Sequence, residues 1–273
     1  MQTNNEKMIL GAICGDTVGS NYEWHSTKDK NFRLENPRTR FTDDTVMTVA
    51  IMAWLLGDYP TPVEAMQTLG RRYSRAGYGG GFRKWIDSPN PQPYNSFGNG
   101  SAMRVSGCGW LFDTEEETLA KAKESAEVTH NHPEGIKGAQ ATALAIFMAR
   151  TGKSKEDIKA RITELFGYDL DRKLDDIRPG YSFNRDTVSC QGSVPEAIIS
   201  FLESTSYEDA IRNAISLGGD ADTQGAIAGS IAEAFYGGLG SDVLYDIVDR
   251  HLTTDLKEIV FRFSRKVFGK EEA

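Results

Sequence analysis

"SLGGDADTQGAIAGSIAEAFYGG", residues 216–238, decides the fold of this chain. Two acids, Asp220 and Asp222, and a threonine, Thr223, open it. Behind them Ala226, Ile227, Ile231, Ala234 and Phe235 recur at helical spacing among glycines and alanines. A helix with so little polar surface belongs in the middle of a protein. The acids then stand at the mouth of a buried helix, where a carboxylate needs a partner or a metal because an isolated buried charge is costly.

The same device occurs earlier, in "FTDDTVMTVAIMAWLL", residues 41–56. Thr42 stands where an N-cap belongs, Asp43 and Asp44 fill the first turn, and Val46, Val49, Ala50 and Ala53 form the stripe behind. Alone, this is an ordinary cap, since acids at a helix start interact favourably with its dipole. Two such clusters suggest the halves of one site, because neither local sequence contains a cationic partner. Hard divalent ions such as Mg²⁺, Mn²⁺ and Ca²⁺ prefer all-oxygen ligands. Asp43, Asp44, Asp220 and Asp222 exceed what one small ion usually takes, which points to a pair. Neither cluster contains cysteine or has histidine nearby, which argues against zinc.

Helix signals continue along the chain. Thr61 with Glu64, Thr114 with Glu117 and Ser193 with Glu196 read as capping boxes. Helices are expected at 6–18, 43–57, 62–76, 80–86, 100–111, 115–129, 133–151, 155–166, 194–203, 207–217, 223–237, 241–250 and 254–267, with no alternation long enough for a strand. The fold class is therefore all-α, a compact multi-helix single domain over 1–273. Residues 86–101 and 167–192 are irregular, but Tyr94, Phe97, Tyr181 and Phe183 are expected to pack rather than mark a linker.

Composition narrows the class. A net charge of −8 excludes a general binder of nucleic-acid backbones, which needs excess Lys and Arg. Cys14, Cys108 and Cys190 form no metal or disulfide pattern, and no signal peptide or bilayer-length apolar run is present. The expectation is a soluble, cytoplasmic protein without membrane partners.

Three further stretches bear candidate residues. In "GAICGDTVGSNYE", residues 11–23, Gly19 reads as a C-cap and Glu23 as a loop carboxylate. Asp16 opposes the dipole near the end of its helix and so calls for a functional or hydrogen-bonding explanation. "SFGNGSAMR", residues 96–104, is either an ordinary turn and N-cap or a phosphate site made of free amides. His130 and His132 precede Pro133 in a loop, where histidines are more often surface groups.

In this order, "GDTVGSNYE", "FTDDTVMT", "FGNGSAMRV", "THNHPEGIKGA" and "GGDADTQGAIAGSIAEAFYG" resemble the ADP-ribosylglycohydrolase family over nearly the whole chain. The resemblance implies an all-helical hydrolase with two Mg²⁺ ions, sometimes Mn²⁺, that cleaves the bond between ADP-ribose C1″ and an amino-acid side chain. It implies Thr42, Asp43, Asp44, Asp220, Asp222 and Thr223 as metal ligands. Glu23 would be the acid/base carboxylate or a metal-linked gate, with Asp43 and Asp44 completing the catalytic set. Gly98, Asn99, Gly100, Ser101, Ala102 and Met103 would receive the diphosphate near His130, and Phe97 and residues 167–192 the adenosine or distal ribose. The partner would be an ADP-ribosylated protein or a small ADP-ribosyl conjugate. A modified nucleic-acid base is an open alternative leaving group, as are arginine, serine and an acyl ester. Competing readings are an inactive ADP-ribose-binding or crystallin-like relative, or a metal-dependent nucleotide phosphohydrolase.

Overall fold

The structure, a computed structural model, describes residues 7–269. Among them are fifteen helices: α1 (Gly11–Gly19), α2 (Asp43–Leu56), α3 (Pro62–Arg72), α4 (Gly80–Asp87), α5 (Gly100–Met103), α6 (Ser106–Leu111), α7 (Glu115–Glu127), α8 (Pro133–Arg150), α9 (Lys155–Phe166), α10 (Leu174–Ile177), α11 (Cys190–Leu202), α12 (Tyr207–Ile215), α13 (Ala221–Tyr236), α14 (Asp242–His251) and α15 (Thr254–Phe268). One isolated bridge, Gly98 to Ser189, is the only β pairing among the described residues. The fold is all-α, as expected.

The Ala- and Gly-rich helix α13 is central: every residue from Ala221 to Ala234 is buried. It packs antiparallel to α1, itself buried throughout. Glycines spaced by four make the seam. A side chain at Gly11 would come within 2.5 Å of Gly229 O, one at Gly15 within 2.0 Å of Gly225 O, and one at Gly19 within 2.4 Å of Ala221 O. Helical glycine costs roughly 1 kcal/mol relative to alanine, so close backbone packing must offset that cost here. The start of α1 has no cap of its own. Glu233 of α13 supplies one in trans, its two oxygens accepting from Leu10 N at 2.8 Å and Gly11 N at 2.7 Å.

Around this pair stand α2, α8, α11 and α12, joined in one apolar core that runs from Ile9 to Val267. Among the described residues no helix is long and apolar enough to cross a membrane.

Several boundaries differ from expectation. The first helix starts at Gly11, because Ile9 N donates to Ser264 Oγ and Leu10 N to Glu233 before the helix begins; residue 6 lies outside the described residues. The expected helix 100–111 divides into α5 and α6, with Gly109 of α6 set so close to α8 that a Cβ there would lie 2.6 Å from Ile146 Cβ. Helix α11 starts four residues before Val194, capped by Ser189 on Gly192 N. The Ser193/Glu196 box therefore does not exist. Ser193 donates to Ser189 O inside the helix, and Glu196 is buried in an ion pair with Arg172 at 2.7 Å. Thr61 and Thr114 do cap their helices. Segment 167–192 holds the short α10, and its Tyr181 packs inward; Tyr94, Phe97 and Phe183 instead remain more than a third exposed.

Candidate active site

Helix α1 delivers Asp16 to the start of α2, and the dipole conflict noted in the sequence finds its explanation there. Asp16 is fully buried and accepts hydrogen bonds from Thr42 N (2.9 Å), Thr42 Oγ1 (2.7 Å), Thr45 N (3.1 Å) and Thr45 Oγ1. One carboxylate thus fixes the turn from which Asp43 and Asp44 project. Thr42 gives its proton to Asp16 and caps Asp44 N at 3.3 Å, so its hydroxyl can face a cation only through a lone pair.

The second cluster meets the first. Asp220 is the N-cap residue of α13, and Asp222, in its first turn, feels the charge of Asp44. Glu23, on the loop after α1, joins Asp220 and Asp222, each offering an oxygen within 4.8 Å of the others. Among the described residues none of Asp16, Glu23, Asp43, Asp44, Asp220 and Asp222 forms an ion pair. Among the described residues Asp44 Oδ2 is buried with no hydrogen-bond partner.

Packed together with no ion-pair partner among the described residues, these acids resist ionisation. Burial, then the charge of Asp220, pushes Glu23 up to about 7, with Arg40 pulling the other way. Burial, then Asp16, pushes Asp43 up to about 7. Asp44 and Asp222 are held well above the usual carboxylate range by burial and by neighbouring aspartates. The donor set is all oxygen, negatively charged and missing a positive charge, which suits a hard divalent cation.

Beside the acids lies the glycine loop. Asn99 Nδ2 donates to Asp220 Oδ2 at 2.7 Å, tying the loop to the cluster. The loop is anchored by Asn99 N to Val188 O (3.0 Å) and Cys190 N to Phe97 O (2.8 Å). Not all of Gly98–Met103 faces outward. Ser101 Oγ donates inward to Gly135 O at 2.7 Å, and Ser101, Ala102 and Met103 are buried. The amides of Gly98, Ala102 and Met103 are already bonded within the segment, to Ser96 Oγ and Asn99 O. Those of Gly100 and Ser101 have no acceptor among the described residues. The expectation that His130 is a surface group is overturned, since it is only 5% exposed. Its Nε2 would lie 3.2 Å from a Cβ at Gly100. Phe97 is exposed beside His132, ring centroids 5.3 Å apart, and Trp24, next to Glu23, packs on Phe183 at 5.3 Å.

Sequence reasoning missed Asn99 as the link between clusters, and Arg104, fully buried beneath the loop with Nη2 on Ser125 O (2.8 Å) and Thr129 Oγ1 (2.9 Å). The only signal was a lone arginine directly after the apolar Ala102 and Met103.

Known proteins resemble the chain over most of its length. The profile of the family described as ADP-ribosylglycohydrolase matches residues 5–264. The chain is 29% identical to ADP-ribosylhydrolase ARH3 of Homo sapiens, over 84% of each chain. It is 30% identical to ADP-ribosylhydrolase ARH3 of Mus musculus, over 84% of this chain and 82% of that one. A solved structure titled "ADP-ribosylglycohydrolase-related protein complex" shares the fold at TM-score 0.71 and 24% identity, covering 95% of this chain and 96% of the other. With the profile matching nearly its whole length, this chain belongs to the ADP-ribosylglycohydrolase family.

Proposed function

We propose that this protein is a divalent-metal-dependent hydrolase that breaks the C1″ glycosidic bond of an ADP-ribosyl conjugate and releases ADP-ribose. One observation carries the reading: Asn99 joins Asp220 of the uncompensated acid cluster, at 2.7 Å, to a loop whose Gly100 and Ser101 amides have no acceptor. A ligand spanning both places needs a diphosphate at one end and a polyhydroxylated, charge-developing centre at the other, as ADP-ribose does.

Thr42, Asp43 and Asp44 on one side and Asp220, Asp222 and Thr223 on the other would hold two Mg²⁺ ions, or Mn²⁺ in their place; when bound these supply positive charge toward the ribose hydroxyls and orient water. Departure of the leaving atom builds oxocarbenium-like charge on the ribose, which adjacent carboxylates stabilise. Glu23 takes the proton of the attacking water, whose oxygen becomes the C1″ hydroxyl, and passes that proton to the departing side-chain atom, a contribution of roughly 10²–10⁴-fold for a well-placed acid/base group. The Gly100 and Ser101 amides hold the diphosphate, and Phe97 at the rim meets the adenosine or distal ribose.

The test is a panel of conjugates joined through arginine, serine, an acyl ester or a nucleic-acid base, incubated with Mg²⁺ and then with EDTA while free ADP-ribose is measured. Mg²⁺-dependent release from at least one is expected. Tight ADP-ribose binding by calorimetry with no release from any conjugate would convert the protein into a binding module, and AMP or phosphate as product would make it a phosphohydrolase.

A further inference from the structure

Among the described residues Arg104 is the largest fully buried side chain, and no carboxylate pairs with it. Burial pushes its guanidinium down to about 10, so it stays charged at neutral pH. It donates to Ser125 O and to Thr129 Oγ1, and more weakly to Gly100 O at 3.3 Å, while its Nε finds no partner. Such an expense in a core asks what the charge orients.

The next bond in the chain answers. Thr129 Oγ1 lies 2.6 Å from His130 Nδ1. The hydroxyl owns one proton, and Arg104 Nη2 already occupies one of its lone pairs at 2.9 Å. That proton has two destinations: His130 Nδ1, or the carbonyl of Ala126 at 3.4 Å. The carbonyl already accepts the amides of Thr129 (3.1 Å) and His130 (2.8 Å). The short contact takes the proton, so Nδ1 is an acceptor and the ring proton sits on Nε2. Burial, then the charge of Arg104, holds His130 well below its usual range, which keeps the ring neutral with one proton to place. Nε2 has no hydrogen-bond partner among the described residues and faces Gly98 and Gly100, where a Cβ would lie 3.7 and 3.2 Å away.

We propose that Arg104 and Thr129 are positioning residues that lock His130 as its Nε2–H tautomer, so that the ring offers a donor, not a lone pair, to an anionic oxygen over Gly98 and Gly100. The ligand part of this proposal rests on reading the 98–103 loop as the diphosphate cradle; the tautomer part does not. With the opposite tautomer, a ring lone pair would repel the same oxygen.

The experiment is ¹⁵N NMR of protein labelled in its histidine rings, without ligand, with His130→Asn used to assign the signal. Nε2 is expected to be protonated and Nδ1 bare. A protonated Nδ1, or a rapid mixture of tautomers, overturns the proposal whatever the loop binds. Thr129→Val should then mix the tautomers and weaken ADP-ribose binding about twofold by calorimetry, since an even mixture leaves half of the rings able to donate. Adenosine, which lacks the diphosphate, should bind both proteins alike, and Thr129→Ser should restore the wild-type tautomer and affinity. Unchanged ADP-ribose affinity in a folded Thr129→Val protein refutes the role in binding. If the wild type binds ADP-ribose no better than adenosine, the cradle reading fails instead, and the NMR of the wild type still decides the tautomer.

Discussion

Replacing Gly15 by alanine tests whether the α1–α13 seam positions the acids. The added Cβ would fall 2.0 Å from Gly225 O, whereas real Cβ atoms essentially never approach within 3.0 Å. The obstacle is backbone, so no rotamer change relieves it, and the two helices must separate locally by about 1 Å, the difference between these distances. Overpacking of this kind costs roughly 1–3 kcal/mol, which in a protein of this size lowers the melting temperature by roughly 2–10 °C. The larger effect should be on chemistry, because Asp16 follows Gly15 directly while Asp222 rides on α13. A misplacement of about 1 Å can reduce turnover on the order of 10²-fold. At Gly225 the added Cβ meets Gly15 O at 2.5 Å, so Gly225→Ala should be milder in both readouts. Gly180→Ala is the control, since nothing lies within 4 Å of the new methyl. The assays are ADP-ribose release and thermal unfolding. Wild-type turnover in Gly15→Ala, or equal damage from all three changes, would refute the claim that this seam sets the spacing of the site.

Asp44→Ala and Asp222→Ala should abolish turnover without unfolding the protein, and full activity in either would remove the paired-metal assignment. In EDTA, Asp44→Asn should melt at or above the wild type, because it relieves a buried carboxylate whose Oδ2 has no partner. With Mg²⁺ at a hundred times its Kd the wild type should regain about 2.7 kcal/mol, seen as a melting shift that the variant lacks. Glu233, fully buried, has its pKa raised by burial from 4.5 to about 7, so folding favours its protonated form. Its contribution is fully present below pH 4.5 and is lost as pH rises through 7; against Glu233→Gln, the wild type should lose on the order of 3 kcal/mol across that window, and parallel denaturation curves from pH 4 to 8 would contradict this. Cys14, Cys108 and Cys190 are buried, and burial pushes each thiol up to about 12. Iodoacetamide should therefore label none in the folded protein and all after denaturation, as mass spectrometry would report.

The helices were legible because their evidence is local. Thr42, Thr61 and Thr114 cap where the sequence says they do, since a cap needs only a hydroxyl and an amide two or three residues on. Ser193 failed by the same logic. The Ser-x-x-Glu pattern was present, but Ser189 four residues earlier offers an equally good cap, and Glu196 is engaged by Arg172 from another segment instead of by a cap. The exposed aromatics failed for a related reason. Phe97 and Phe183 pair with His132 and Trp24 rather than with the core, and only the tertiary arrangement brings these partners together.

What the sequence could not express is how one buried group fixes another across the fold. Asp16 was visible as an anomaly, an acid at the wrong end of a helix, because the dipole rule is local and its violation can be seen. Its partners, Thr42 and Thr45, lie 26 and 29 positions away. Arg104 violated no local rule, since arginine is a good helix former, and its cost arises only once every side of the guanidinium is buried. The two residues nonetheless act alike. Each is a buried polar group held by hydroxyls and backbone rather than by an opposite charge, and each fixes the geometry of a neighbour at the candidate site: Asp16 the turn bearing Asp43 and Asp44, Arg104 the ring of His130 through Thr129.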